Sequence, residues 1–190
     1  SGSHAEGRIA GKAAIRYLVK ENPPAPTVDA AKIDALKEAT YKPLATFDEH
    51  KGATTQVDMN PNYIVPKMFM FRLQKIMDEY AGGVSTQFTT SAKQLEKGME
   101  LLTFLREDAE KLAAKDLHEL MRAWENVHRM WQAEAHIRTI LFREETRWPG
   151  YYMRSDTPKM DEENWKVFAN CKYDAKADSW EMMKRPVHEL

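Results

Sequence analysis

Few side chains in these 190 residues can do chemistry, and none is set in a motif that would catalyse alone. There are six histidines (His4, His50, His118, His128, His136 and His188) and one cysteine, Cys171. Glu125 and His128 form a single Glu-x-x-His pair. A di-metal carboxylate site in a helical bundle needs two such pairs and two further glutamates, so a packing histidine beside a solvated glutamate is the simpler reading. His-x-x-x-His does not occur, and neither do the Gly-rich phosphate loops nor a Gly-x-Ser-x-Gly elbow. Cys171 sits in an expected strand with no activating partner nearby in sequence, as a small buried hydrophobe would.

Two stretches are denser. The first is Ser1-Gly2-Ser3-His4-Ala5-Glu6-Gly7-Arg8, where small residues lead into a helix. Ser3 and Glu6 have capping-box spacing. A helix start offers free backbone N–H groups and a positive dipole end, which suit an anion or an electron-rich ring oxygen. The second runs from Glu144 to Asp156 and contains Arg147, Trp148, Pro149, Gly150, Tyr151, Tyr152 and Arg154. Two arginines and three aromatics at a Pro-Gly corner form either a packed corner with its arginines paired to nearby acids, or an anchor for another domain or subunit.

The elements that position these stretches follow from periodicity and breakers. A helix runs from Ser3 to about Lys20 and ends at Asn22-Pro23-Pro24-Ala25-Pro26, a stiff extended linker. A weaker helix covers Val28 to Thr40, and Tyr41 to Asn60 reads as a loop. The next helix starts at Asn60-Pro61 or Val65-Pro66, carries Met68, Phe71, Leu73, Ile76, Met77 and Tyr80 inward, and stops at Gly82-Gly83. Ser91 with Gln94 and Asp116 with Glu119 open two more. From Leu117 the last could run to Arg147, with Leu120, Trp124, Val127, Trp131, Ala135 and Leu141 as its apolar stripe. Lys166 to Tyr173 and Ser179 to Pro186 read as strands around a short turn. The expected fold class is mainly α: a helical bundle with a leading helix and a short C-terminal β-hairpin. Its expected divisions are 1–22, 23–60, 61–148 and 149–190.

Composition narrows the function. The balance of 28 Lys and Arg against 29 Asp and Glu gives a net charge of −1, which argues against a nucleic-acid binder. No apolar run reaches the roughly 18 residues of a spanning helix, and the first residues of this sequence are small and polar, unlike the apolar core of a signal peptide. One cysteine rules out an internal disulfide and a Cys-rich cluster site, so a cytoplasmic location is expected. The chain opens on Ser within what reads as a structured element, so the expectation is a piece of a longer polypeptide.

Gly7-Arg8-Ile9-Ala10-Gly11 resembles the last flavin-proximal helix of the succinate dehydrogenase and fumarate reductase flavoprotein superfamily. The Ser1–Arg8 form and the run from Glu145 to Phe168, with Thr-Arg-Trp-Pro-Gly-Tyr-Tyr and Asp-Glu-Glu-Asn-Trp, resemble the alpha subunits of dissimilatory adenylylsulfate reductases. That resemblance implies FAD and interconversion of adenosine 5′-phosphosulfate with sulfite and AMP. It also implies an iron–sulfur beta subunit carrying two [4Fe–4S] clusters, in keeping with the single cysteine here. Only the C-terminal third of such a subunit would be covered: the end of the flavin domain, the helical domain and an extension. Ser1, Gly2 and Ser3 would lie near the flavin ring, with His4 and Glu6 as neighbours, and Arg8 in an intrachain ion pair. Arg147, Trp148, Tyr151, Tyr152 and Arg154 would meet a neighbouring domain or subunit. The resemblance carries over no catalytic residue and no metal ligand. Two other readings stay open: a fragment of a succinate dehydrogenase, fumarate reductase or aspartate oxidase flavoprotein, and a stand-alone helical interaction module.

Overall fold

Proline and glycine punctuation, side-chain caps and a short turn set the boundaries of a mainly helical chain. The computed structural model describes residues 2–148 and 150–187; Ser1, Pro149 and His188 lie outside the described residues. The helices are α1 (Gly2–Glu21), α2 (Ala30–His50), α3 (Pro66–Tyr80), α4 (Ala92–Ala109), α5 (Leu117–Phe142) and α6 (Glu162–Trp165). The strands are β1 (Thr89–Thr90), β2 (Met153–Arg154), β3 (Val167–Asp174) and β4 (Ser179–Pro186). The chain divides into two compact units, residues 1–39 and 40–190.

In the first unit, α1 buries no residue: Ile9, Ile15 and Leu18 are all more than half exposed. The helix already includes Gly2, so Ser3 lies inside its first turn and not at the cap expected of it. Asp29 opens α2 by accepting from the backbone N–H groups of Ala31 and Lys32.

The second unit contains the core. Helix α2 continues past Thr40 to His50, where a loop was expected. Pro43 removes one helical hydrogen bond, but it is buried and its carbonyl accepts from Ala114 N–H at 2.9 Å. Phe47 packs tilted against Tyr63, and Trp124 Nε1 donates to Thr40 O. These tertiary contacts hold the helix where local propensity does not.

Helices α3, α4 and α5 pack around Phe69, Leu73, Ile76, Leu95, Leu102, Leu105, Met130 and Ile137. Ser91 caps α4 by accepting from Gln94 N–H, and Asp116 caps α5 by accepting from Glu119 N–H, as their spacing predicts. The inward faces of α3 and α5 follow the expected stripes in part: Leu73, Ile76 and Leu120 are buried, and Met77, Val127 and Leu141 pack against the core. Helix α3 turns Phe69 into the core and leaves Met68 and Phe71 nearly half exposed. Helix α5 buries Leu120 as expected, but also Ala123, Asn126, Met130, Ala133 and Ile137, and leaves Trp124 and Trp131 half-buried at the flanks. Small residues let the helices approach closely, and the bulky aromatics are held at the edges. Gly98 makes the same point on α4: a Cβ there would stand 3.1 Å from Tyr80 Cβ and 3.3 Å from Ile137 Cδ1.

Strands β3 and β4 pair antiparallel from Val167 opposite Pro186 to Asp174 opposite Ser179. Asp174 accepts from Lys176 and Ala177 N–H in the turn. The hairpin is held to the bundle by an aromatic stack, Trp131 on Tyr173 at 4.9 Å and Tyr173 on Trp180 at 5.1 Å. Arg106 lies over Trp131 and Arg138 over Trp180. The nearly buried Glu134 accepts from both guanidinium groups.

Candidate functional site

The corner that follows α5 is built around buried charge. Helix α5 stops at Phe142, five residues before the expected end, because Arg143 turns out of helical geometry at ψ 102. Its guanidinium then donates to the carbonyls of Trp165 (3.0 Å) and Val167 (2.6 Å) and to Glu145. Glu145 is fully buried. It also accepts from Arg147 Nε at 2.7 Å and from Asp161 N–H at 2.8 Å. Burial pushes this carboxyl up, but the hydrogen bonds from Arg147, Asp161 and Arg143 outweigh it and hold it below its ordinary value. Arg147 reaches on to Glu162 at 2.6 Å.

Arg154 is the second hub and is 2% exposed. It forms a bidentate pair with Asp156 at 2.8 and 2.7 Å, and Nη1 donates to Ile140 O at 2.7 Å. Asp156 Oδ2 in turn accepts from Ala92 N–H at 3.0 Å. The cation therefore sits at the C-terminal end of α5 and the carboxylate at the N-terminal end of α4, the signs that each helix dipole favours. Hydrogen bonding to Arg154 holds the Asp156 carboxyl far below the usual carboxylate range. Parallel pairing of β2 with β1 closes the corner, with Met153 N–H donating to Phe88 O and Ser155 N–H to Thr90 O, both at 2.8 Å.

The five expected contact residues thus divide. Arg147 and Arg154 face inward and brace the corner. Tyr152 is half-buried, and burial pushes its hydroxyl up to about 12. Trp148 and Tyr151 project, 68% and 83% exposed. Sequence reasoning did not single out Glu145 and Asp156. The available signals were Arg-x-Glu-x-Arg at 143–147 and Arg-x-Asp at 154–156, short-range pairings that become informative only when the carboxylate is buried.

The expected flavin-side residues Gly2, Ser3, His4 and Glu6 share one exposed turn of α1. Apart from its own neighbours, a Cβ at Gly2 would meet only Glu6 Oε1, at 3.9 Å. This open start with its small residue is compatible with a close-lying planar ring and with backbone donation to it. Elsewhere, Glu125 lies 3.5 Å from both Arg122 and Arg129, and the His128 ring stands beside Trp124. Among the described residues no three His, Cys, Asp or Glu side chains converge as metal ligands, and no helix is long and apolar enough to cross a membrane.

The sequence of this bundle and hairpin matches that of a class of flavoprotein domain. The chain belongs to the family described as "Fumarate reductase flavoprotein C-term", which matches residues 71–189. It is 46% identical, over 191 aligned positions, to the adenylylsulfate reductase subunit alpha of Megalodesulfovibrio gigas, covering 100% of this chain and 28% of that protein. A solved structure titled adenosine-5-phosphosulfate reductase in complex with sulfite, as a covalent adduct, is 53% identical with a TM-score of 0.96. The match covers 99% of this chain and 29% of that one. The quinol fumarate reductase of E. coli shares the fold at a TM-score of 0.59 and 16% identity, covering 85% of this chain and 26% of that one. The chain thus spans less than a third of the length of these relatives.

Proposed function

We propose that this chain is the C-terminal helical portion of the FAD-containing alpha subunit of an adenylylsulfate reductase. That oxidoreductase interconverts adenosine 5′-phosphosulfate with sulfite and AMP in dissimilatory sulfur metabolism, in the cytoplasm. The observation that carries the reading is 46% identity along all of this chain to such a subunit. A succinate dehydrogenase, fumarate reductase or aspartate oxidase fragment is less well supported, since the likeness to a quinol fumarate reductase is 16%.

In this reading residues 1–22 are the last helix of the FAD-binding domain, 23–60 a linker and helix, 61–148 the bundle and 149–190 the extension. The backbone donors at the start of α1, with Ser1, Gly2 and Ser3, would hold the ring's pyrimidine oxygen, with His4 and Glu6 beside them. When bound, FAD supplies two-electron transfer between sulfite and the electron carrier. The exposed apolar side of α1, with Ile9, Ile15 and Leu18, packs on the flavin domain. The bundle serves as a wall that keeps the ring in register, since reaction rates depend steeply on sub-ångström placement. Trp148 and Tyr151 reach a neighbouring domain or the iron–sulfur beta subunit, whose [4Fe–4S] clusters pass the electrons. No catalytic residue is assigned within these 190 residues.

Sulfite titration of the purified, flavin-loaded alpha subunit containing this chain tests the reading. Sulfite should bleach the flavin's visible band and succinate should not. Bleaching by succinate with no response to sulfite would replace this reading with the dehydrogenase one.

A further inference from the structure

Where the hairpin meets the bundle, two indoles and a phenol stand in a row. The ring of Trp131 on α5 lies 4.9 Å from that of Tyr173 on β3, and Tyr173 lies 5.1 Å from Trp180 on β4, between centroids. All three side chains are half-buried. Aromatic packing holds the hairpin in place, but it does not call for the polar groups that surround each ring. Rings in contact exchange an electron quickly, so an oxidising equivalent that reaches one of them is open to all three. Their surroundings decide where it comes to rest.

The two outer rings carry cations. The guanidinium carbon of Arg106 is 4.7 Å from the Trp131 centroid, and that of Arg138 is 5.7 Å from the Trp180 centroid. A cation over the face is attracted to the neutral ring and opposes the positive charge that loss of an electron leaves there. Glu134 pairs with both arginines and offsets part of this effect. The middle ring instead carries a base. Tyr173 Oη donates to Asp178 Oδ1 at 2.6 Å. Asp178 is exposed and holds a left-handed backbone, φ 45, in the turn before β4. The hydrogen bond to this carboxylate raises the Tyr173 phenol above its ordinary value, so the resting phenol keeps its proton at neutral pH. A phenol that loses an electron becomes a strong acid, and a carboxylate already at hydrogen-bond distance accepts its proton without rearrangement. Tyr63 donates to the Val57 carbonyl, which is no base, and the buried Tyr152 hydroxyl has no partner.

We propose that Tyr173 is a one-electron oxidation site, supplied through Trp131 and Trp180, with Asp178 as its proton acceptor. The oxidants it takes are solvent radicals strong enough to oxidise an indole. Such a radical gains one electron from Trp131 or Trp180 and leaves an indole radical cation. That cation takes one electron from Tyr173, whose phenolic proton passes to Asp178 Oδ1. The indole is restored, the tyrosine has lost one electron and one proton, and Asp178 holds the proton. The oxidising equivalent thereby moves from a ring on the bundle to a solvent-exposed turn. This inference rests on the contacts of the hairpin and stands apart from the flavoprotein reading.

Pulse radiolysis of the full-length protein containing this chain, with azide radicals as the oxidant, tests it. Azide radicals oxidise indoles first. The indolyl absorption should then decay into that of a tyrosyl radical, in a first-order phase whose rate is independent of protein concentration. Tyr173→Phe keeps a ring in the stack and should remove this phase. Asp178→Asn should slow it about tenfold or more, because the amide cannot take the proton, while asparagine tolerates the left-handed turn. Both variants should keep the circular dichroism of the parent. The proposal is overturned if Tyr173→Phe retains the phase at full amplitude, or if Asp178→Asn leaves its rate unchanged. It is equally overturned if the phase quickens with protein concentration, which would make it a collision between molecules.

Discussion

Replacing Glu145 by Ala removes the acceptor around which the corner after α5 is assembled. Three groups lose this acceptor: the backbone N–H of Asp161 and the guanidinium groups of Arg143 and Arg147, which keep only the Trp165 and Val167 carbonyls and Glu162 respectively. Glu145 is fully buried and the Arg143 and Arg147 side chains are 18% and 21% exposed, so water replaces the lost bonds poorly. Breaking a buried ion pair from one side costs about 3–5 kcal/mol. In a chain of this size each kcal/mol lowers the melting temperature by about 2–4 °C, so the unit containing the bundle should melt roughly 6–20 °C lower. Glu145→Gln keeps the volume and one acceptor and should cost less. Thermal unfolding followed by circular dichroism gives both values. The pH dependence has a fixed sign: the Glu145 carboxyl is held below its ordinary value, so its stabilisation is whole above about pH 4.5 and fades as pH falls through the folded value. Asp156 acts in the same sense. A Glu145→Ala protein melting within 2 °C of the parent, with an unchanged acid limb, would refute the buried-hub argument.

Gly98→Val should destabilise the bundle by about 1–3 kcal/mol, because its Cβ meets Tyr80 and Ile137 at 3.1 and 3.3 Å; urea unfolding measures this. Trp131→Ala should free the hairpin without unfolding α3, α4 and α5, seen as faster hydrogen exchange confined to β3 and β4, since Trp131 begins the stack that holds Tyr173 and Trp180. Trp148→Ala and Tyr151→Ala should leave the melting temperature unchanged, given their exposure. Each should weaken binding of the beta subunit by more than 1 kcal/mol if they anchor it, and unchanged affinity for both would remove them from the contact.

Caps and breakers were the legible part of the fold. Ser91 with Gln94 and Asp116 with Glu119 act within one turn, so their spacing alone marks where α4 and α5 begin. The hairpin was equally plain, because Asp174 and the residues after it make the turn locally. The extension of α2 through Pro43 was not legible, since what holds it lies far away in sequence, at Ala114 and Trp124. On α5, Leu120 is buried as its spacing predicts, but the half-exposed placing of Trp124 and Trp131 was not legible, for a related reason. Hydrophobicity alone ranks Trp124 and Trp131 as core, but close helix packing admits Ala123, Ala133 and a hydrogen-bonded Asn126, which donates to Pro66 O at 2.7 Å. At the corner, residue types marked a dense site without separating its roles. Burial distinguishes Arg147 and Arg154, which brace it, from Trp148 and Tyr151, which project.

The proposed function places this bundle in an enzyme working on the sulfur of adenylylsulfate. Steady-state turnover of the purified alpha–beta complex containing this chain tests it most directly, with ferricyanide as electron acceptor. Reduction should require sulfite and AMP together and should not occur with succinate. Turnover on succinate, or a flavin-loaded complex inert to sulfite and AMP, would contradict the account.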